Sequence, residues 1–314
     1  MTARYHTSPT LAATLGSLLA SSLAAGQALD PETIRDIRTA SLRNNICPSP
    51  ANVEAFDHID QGPRSFPPAR VFDNLYLLGT DSTVAWALTT SEGIILFDAM
   101  FHGNVEETVV DSLRELGLDP EDIEYVIISH AHNDHFGGAH YLQQEFGARI
   151  VMSVEDWDHM HTWPQLGSPA PFPLYDTAVR DGYSITLGDV TVDIVATPGH
   201  TPGTISPIFP VRDGEATHYV GYWGASAVSF LDPDGIVQYM GGADRFARID
   251  PRVDVPLTNH PGIDGALLKL AALEERRSGE PHPFVEGNPA FRDWVDAIHD
   301  CAGEVLAEKL RSAD

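Results

Sequence analysis

The run Ser129-His130-Ala131-His132-Asn133-Asp134-His135-Phe136-Gly137-Gly138 places four side chains able to bind a metal within six positions. Imidazole suits zinc and related transition metals, and a carboxylate can complete the shell. His130 and His132 are two apart, so an extended backbone points them the same way. Asp134 and His135 need a turn and then approach from another side, which suits two adjacent metals better than one. Solvated loop histidines are the alternative reading, but an H-x-H-x-D-H run directly behind the apolar Tyr125-Val126-Ile127-Ile128 is a poor match to it. Two more histidines lie in Gly/Pro loops: His200 in Thr197-Pro198-Gly199-His200-Thr201-Pro202-Gly203, and His260 in Leu257-Thr258-Asn259-His260-Pro261-Gly262. The implied chemistry is metal-dependent hydrolysis, in which a coordinated water has its pKa lowered to about 7 and serves as hydroxide at neutral pH. No serine or cysteine nucleophile is required. Asp134 would bind metal and also orient the nucleophile or relay a proton.

The elements that must position these residues follow from pattern. Residues 71–78, 84–89 and 93–98 predict three strands separated by Gly or Ser breaks. The last ends at Asp98, which either orients a ligand histidine or is a strand-end turn residue. Val105, Val109, Leu113 and Leu116 recur at helical spacing, with Gly117 as the stop. Asp119-Pro120 turns into a strand over 125–129, the metal motif follows, and a helix over 137–146 leads to a strand over 149–153. The metal loop therefore lies at the C-terminal end of a strand in an α/β unit, where open α/β sheets place active sites. Residues 154–175 hold Trp157, His159, Met160, His161, Trp163 and four prolines, and predict a short helix followed by a long irregular loop. Such loops often carry function, so His159, His161 and Trp163 are candidates for substrate contact, against a surface loop of packed aromatics. His140 reads as a structural residue on the helix after the motif, and His102 as either a cleft or an ordinary loop residue.

Further strands are expected over 183–187, 190–196, 205–211 and 218–222. Helices are expected over 266–277 and from Asn288-Pro289 onward, the second with a stripe of Phe291, Trp294, Val295, Ile298, Val305 and Leu306. Two β-rich halves with outer helices predict an α/β fold of four layers, an αββα sandwich.

Composition sets the wider frame. The chain has 314 residues, 43% hydrophobic, with a net charge of −26. Phosphate backbones would be repelled, so nucleic acid is not expected as a partner. Residues 1–28 read as a secretory signal peptide: Arg4, an apolar and small-residue run over 11–25, then Gly26-Gln27-Ala28. A flexible or helical N-terminus is the alternative. The run is too short to span a bilayer, and no membrane span is expected in the mature chain. Export predicts a periplasmic or secreted protein. Residues 29–70 read as an extended arm, with a short helix opening at Asp30-Pro31-Glu32, and 71–314 as the hydrolase domain. In an exported chain Cys47 and Cys301 are free to form a disulfide, a buried free thiol at Cys301 being the alternative.

The H-x-H-x-D-H run at 130–135, the Gly-His-Thr-Pro-Gly loop at 199–203 and the late His260 together resemble the metallo-β-lactamase superfamily, over 71 to the C-terminus. Asn-His-Pro-Gly around His260, histidine at the first ligand position after Ile-Ile-Ser, and the exported N-terminus are most similar to subclass B3 metallo-β-lactamases. This resemblance implies two zinc ions per chain, one on His130, His132 and His200, the other on Asp134, His135 and His260. It also implies a small-molecule substrate, a cyclic amide opened by hydrolysis, with antibiotic resistance as the role; oligomeric state is left open. Many lactonases, glyoxalase-II-like enzymes and nucleases of the superfamily carry a bridging Asp after a later strand. The matching stretch here, Tyr219-Val220-Gly221-Tyr222-Trp223-Gly224-Ala225-Ser226, has no carboxylate, although Asp232 follows shortly after. That stretch and the proline-rich 154–175 segment depart from what the B3 resemblance leads one to expect. A lactonase, arylsulfatase-like or phosphodiester hydrolase is the runner-up. An exported zinc-binding protein without catalysis is a third reading, and a di-iron redox enzyme a weaker fourth.

Overall fold

The computed structural model describes residues 31–46, 63–165 and 169–313. The segment 1–28, read above as a signal peptide, and Cys47 lie outside the described residues. Two sheets face each other, with helices on both outer sides. The first has seven strands in sequential order: β1 (Ala69–Phe72), β2 (Leu75–Gly79), β3 (Val84–Thr90), β4 (Gly93–Phe97), β5 (Ile123–Ile127), β6 (Arg149–Ser153) and β7 (Thr177–Val179). β1 to β4 pair antiparallel, and β4 to β7 pair parallel. The second sheet comprises β8 (Ser184–Leu187), β9 (Val190–Ala196), β10 (Ile205–Asp213), β11 (Ala216–Trp223) and β12 (Val253–Thr258), in the order β12-β11-β10-β9-β8.

Period-two alternation decides which side chains reach which layer. Along β3, Trp86 and Leu88 enter the core between the sheets, while Ala85 and Ala87 face the outer helices. Along β4, Ile95 and Phe97 go inward, and Ile94 and Leu96 outward. Phe97 stacks on Phe209 of the other sheet at 4.3 Å. The helices α1 (Pro31–Ile46), α2 (Ser112–Glu115, preceded by a π-helical turn Glu106–Asp111), α3 (Asn133–Phe136), α4 (Ala139–Phe146), α5 (Val154–His159), α6 (Pro233–Phe246), α7 (Pro261–Asp264), α8 (Ala266–Glu274) and α9 (Asn288–Ala313) complete the chain. The π turn, α4 and α5 cover the first sheet, whereas α1, α6 and α9 cover the second. This is the αββα sandwich expected from the sequence.

Several local readings differ. The single strand expected over 71–78 is a hairpin, because Asp73-Asn74 turns the chain and β1 pairs back on β2. β7 was not anticipated; three residues carry too little pattern. α6 was not anticipated either, since Gly235, Gly241 and Gly242 lower its helix propensity. The last of these packs tightly: a Cβ on Gly242 would stand 3.1 Å from the Thr197 Cα, so the helix lies close against the end of β9. α1 forms from the arm as a full 16-residue helix. Its Arg38 pairs with the buried Glu286, which also holds the fully buried Lys269 at 2.7 Å. Cys301, fully buried in α9, is disulfide-bonded and not a free thiol. Among the described residues no helix is long and apolar enough to cross a membrane.

Candidate metal centre

The ligand-type residues all sit just past strand C-termini, along one edge of the sandwich. His130 and His132 follow β5, and the short α3 then turns Asp134 and His135 back toward them. His200 lies in the β9–β10 loop, and His260 lies between β12 and α7, where Pro261 fixes the first helical turn. Gly199 has φ +134°, and a Cβ there would meet the Tyr239 backbone nitrogen at 2.4 Å, so only glycine lets α6 approach the loop that presents His200. The two sheets are tied at this edge by Ile205 N–H donating to Ser129 O (2.9 Å), Val84 N–H to Asn259 O (2.9 Å) and the Trp86 indole N–H to Thr258 O (3.1 Å).

Four of the histidines have Nδ1 committed to an acceptor. His130 Nδ1 donates to Gly224 O (2.8 Å), His200 Nδ1 to Ala227 O (2.9 Å) and His260 Nδ1 to Ser82 O (2.8 Å). His135 Nδ1 donates to Asp98 Oδ2 (3.0 Å). A carbonyl or carboxylate can only accept, so each Nδ1 carries a proton, and in the neutral ring Nε2 is left as a lone pair. These lone pairs converge: His130 Nε2 and His200 Nε2 are 3.2 Å apart. Ligand-type atoms of His130, His132 and His200 all lie within 4.8 Å of one another, as do those of His130, Asp134 and His135. His260 joins the second group from the rim, its Nε2 3.8 Å from Asp134 Oδ2 and its ring 5.0 Å from that of His135. The structure thus brings His130, His132 and His200 together as one cluster and Asp134 and His135 together with His130 as another, with His260 at its rim.

The donor set suits a cation. His132 Nε2 and Asp134 Oδ1 are buried polar atoms without a hydrogen-bond partner, a costly arrangement unless something electropositive satisfies them, and His135 Nε2 faces Asp134 Oδ2 at 3.1 Å. Burial, then the neighbouring imidazoles, hold His130 and His200 well below the ordinary histidine range. Burial likewise lowers His132, to about 4. Burial pushes the Asp134 carboxyl up, but His135, His260 and His132 outweigh it and hold the group well below the carboxylate range. Burial opposes charge on His135 as well, yet Asp134 and Asp98 overcome it and raise the group to about 10. A positive charge is therefore favoured between Asp134 and Asp98, and a divalent ion would take the place of that proton.

Asp98 organises the floor of the site. It is fully buried, adopts φ 62°, and accepts from Ser129 N–H (2.7 Å), Ser129 Oγ–H (2.9 Å), Tyr222 O–H (2.9 Å) and His135. A non-glycine residue in the left-handed region costs energy and persists only where its surroundings hold it there. Of the sequence's two readings of Asp98, the structure favours the first: it is the hydrogen-bond partner of His135, one of the clustered histidines.

The three substrate-contact candidates part ways. Trp163 stacks on the His132 ring at 5.2 Å, and His159 stands behind it at 5.4 Å. His161 is not brought to the centre; its ring packs against Phe172 at 4.5 Å. His140 donates to Phe172 O (3.1 Å) and pins the proline-rich segment to α4, while His102 is exposed in a loop. Phe230, which the sequence reading passed over, completes an aromatic wall, 5.3 Å from His200, 5.9 Å from His132 and 5.7 Å from Trp163. Asp232, noted as a stray carboxylate, caps α6 by accepting from Gly235 N–H (2.7 Å). The segment after β11 offers backbone carbonyls to the histidines, at Gly224 and Ala227, and no carboxylate. Asp156 was also missed; it lies 25 residues from one of its partners and 47 from another, beyond the reach of any local motif.

Residues 78–213 match the family described as the metallo-beta-lactamase superfamily. Among solved structures, BJP-1, a subclass B3 metallo-beta-lactamase of Bradyrhizobium japonicum, aligns with a TM-score of 0.70 at 26% identity, covering 82% of this chain and 99% of that one. Among curated proteins, a hydroxyacylglutathione hydrolase of Acidiphilium cryptum is 36% identical over 175 residues, 49% of this chain and 62% of that protein. The N-acyl homoserine lactonase AttM of Agrobacterium fabrum is 28% identical over 108 residues, 31% of this chain and 40% of that protein. The chain spans less than two thirds of the length of either curated relative.

Proposed function

We propose, from the premise that this chain carries a metallo-beta-lactamase superfamily domain with a histidine-rich metal-binding site, that it is a binuclear zinc hydrolase opening a cyclic amide, a β-lactamase of the B3 kind. The observation that carries the metal-dependent part is the convergence of unpartnered ligand atoms. His132 Nε2 and Asp134 Oδ1 are buried without partners beside a pair of imidazole nitrogens 3.2 Å apart, with His135 Nε2 3.1 Å from Asp134 Oδ2. His130, His132 and His200 would hold one ion, and Asp134, His135 and His260 the other. When bound, the ions supply Lewis acidity at the scissile carbonyl and a water acidic enough to react at neutral pH. The chain's own residues do the rest. The Nδ1 anchors hold four imidazoles in the tautomer that presents Nε2. Asp134 Oδ1, with a free lone pair, can accept a hydrogen bond from the attacking water and orient it. Trp163 and Phe230 wall the site with apolar surface and limit access of bulk water.

The choice of a cyclic amide rests on the likeness to BJP-1 along nearly all of that chain and on the absence of a carboxylate from 219 to 226. A second reading, a lactonase or other ester hydrolase, is supported by the curated relatives, a hydroxyacylglutathione hydrolase and an N-acyl homoserine lactonase. Fold alone does not choose between them. Export to the periplasm or medium, proposed from the N-terminal 28 residues, would bring the enzyme to substrates arriving from outside.

The deciding experiment is to purify the protein, count bound zinc, and assay a chromogenic cephalosporin beside a lactone, a thioester and a phosphodiester. Chelator-sensitive cephalosporin turnover that disappears in His132→Ala supports the proposal. Turnover of the lactone or thioester alone would move the protein to the second reading, and two bound metals with no turnover of any substrate would leave it a zinc-binding protein.

A further inference from the structure

Asp156 is fully buried and is used by none of the steps above. Its two carboxylate oxygens accept from both ligand-bearing loops. Oδ2 accepts from Ala131 N–H (2.9 Å), between His130 and His132, and from Thr201 Oγ–H (2.6 Å), next to His200. Oδ1 accepts from Gly203 N–H (2.8 Å), at the far end of the same loop. Its own backbone belongs to a third element, α5, whose first turn is capped by Ser153 Oγ accepting from Asp156 N–H (3.1 Å). α5 leads into His159 and then Trp163, the ring that stacks on His132. Close packing confirms the joint: a Cβ on Gly203 would lie 2.0 Å from Ser153 Oγ and 2.6 Å from Asp156 N, so the loop is pressed onto the start of α5.

We infer that Asp156 is a positioning residue for the metal centre: its carboxylate sets the separation between the 130–135 loop and the 197–203 loop so that His130, His132 and His200 converge on one ion. The inference rests on the metal-binding reading of the site. No other side chain among those described hydrogen-bonds to both loops with the same carboxylate. The charge is matched to the task. Three donors need an acceptor-only group, and an amide of the same size would turn an N–H₂ toward at least one of them. Asp156→Asn therefore forces either the Ala131–Thr201 side or the Gly203 side to move, and His132 or His200 with it.

The test uses full-length protein, stripped of metal and titrated with zinc against a chromophoric chelator, then with cobalt(II) for its absorption spectrum. Ser153→Ala serves as the comparison, since it removes the cap of α5 and leaves the three carboxylate contacts in place. Asp156→Asn is expected to bind the first zinc roughly 10- to 100-fold more weakly and to alter the cobalt d–d bands. Ser153→Ala is expected to lower the thermal midpoint while retaining parental affinity and spectrum. The inference is overturned if Asp156→Asn keeps parental affinity and spectrum, or if both variants lose affinity in proportion to lost stability. A parent protein that binds neither ion would instead overturn the metal reading beneath it.

Discussion

Asp98→Asn is the substitution that tests the architecture of the site most sharply. The side chain keeps its shape, so packing is preserved, but the acceptor pattern cannot survive. Oδ2 serves three donors, Ser129 Oγ, Tyr222 O–H and His135 Nδ1, at 2.9, 2.9 and 3.0 Å, and Oδ1 serves Ser129 N–H at 2.7 Å. With the amide oxygen toward the three donors, the N–H₂ faces the Ser129 N–H and is repelled. With the amide flipped, the N–H₂ faces His135 Nδ1 and favours the imidazole tautomer protonated at Nε2, the atom meant for metal. Either way one charge-assisted hydrogen bond is lost, worth about 1.5–3 kcal/mol, or roughly 10- to 140-fold in an equilibrium constant. Only in the flipped orientation does the loss fall on His135 itself; in the other it falls on the Ser129 N–H, and in neither do His132 and His200 touch Asp98. On the proposed two-zinc reading, the flipped amide gives a selective result: zinc content falling from two toward one per chain at limiting metal, with the first ion still bound tightly. Metal analysis after dialysis, with a competition titration, measures it. Two zinc ions held at parental affinity would refute the argument that Asp98 sets the His135 tautomer.

Three further outcomes are expected. Glu286→Gln removes the shared anion between Arg38 and the fully buried Lys269, and should cost about 3–5 kcal/mol of stability, read as a lower urea midpoint; an unchanged midpoint contradicts it. Asp264, fully buried, is pushed up to about 7 by burial, against the pull of Lys269 and two backbone N–H donors. Because its folded pKa lies above the ordinary value of 3.8, the stability it contributes is present below about pH 4 and lost as pH rises through about 7. Relative to the parent, Asp264→Asn should therefore gain ground between pH 4 and 7.5, by at most about 4 kcal/mol, and denaturation at the two pH values checks the sign. Phe230→Ala opens the aromatic wall beside His200 and His132 and should raise KM several-fold for substrates with bulky apolar groups, with a smaller change in kcat; equal effects on small and bulky substrates count against a wall.

The six metal-type residues were legible because their information is local: a dense motif behind an apolar strand, and histidines framed by Gly and Pro that end β-runs. Asp98 was half legible, visible as a carboxylate at a strand end, though its partners Ser129, Tyr222 and His135 come from distant segments. Asp156 was not legible. In sequence it completes only a Ser-x-x-Asp helix start, and its two loop partners are tertiary neighbours. The αββα layering followed from two groups of strands with amphipathic helices after each. α6 escaped because its three glycines, of which Gly242 lies close to Thr197, read as poor helix formers. The aromatic segment does reach the site, Trp163 stacking on His132, but periodicity could not say that His161 would turn to Phe172.

The backbone ties across the ligand edge have a consequence for dynamics. Val84 and Ile205 each spend their amide hydrogen on a carbonyl of a ligand-bearing loop, at Asn259 and Ser129. Neither hydrogen can exchange with solvent until the loop lets go of the facing strand. These two amides are thus native clocks for the opening of the sandwich at its working end. Their exchange should slow when metal binds, one at His260's side and the other at His130's, and so time the two halves of the centre separately.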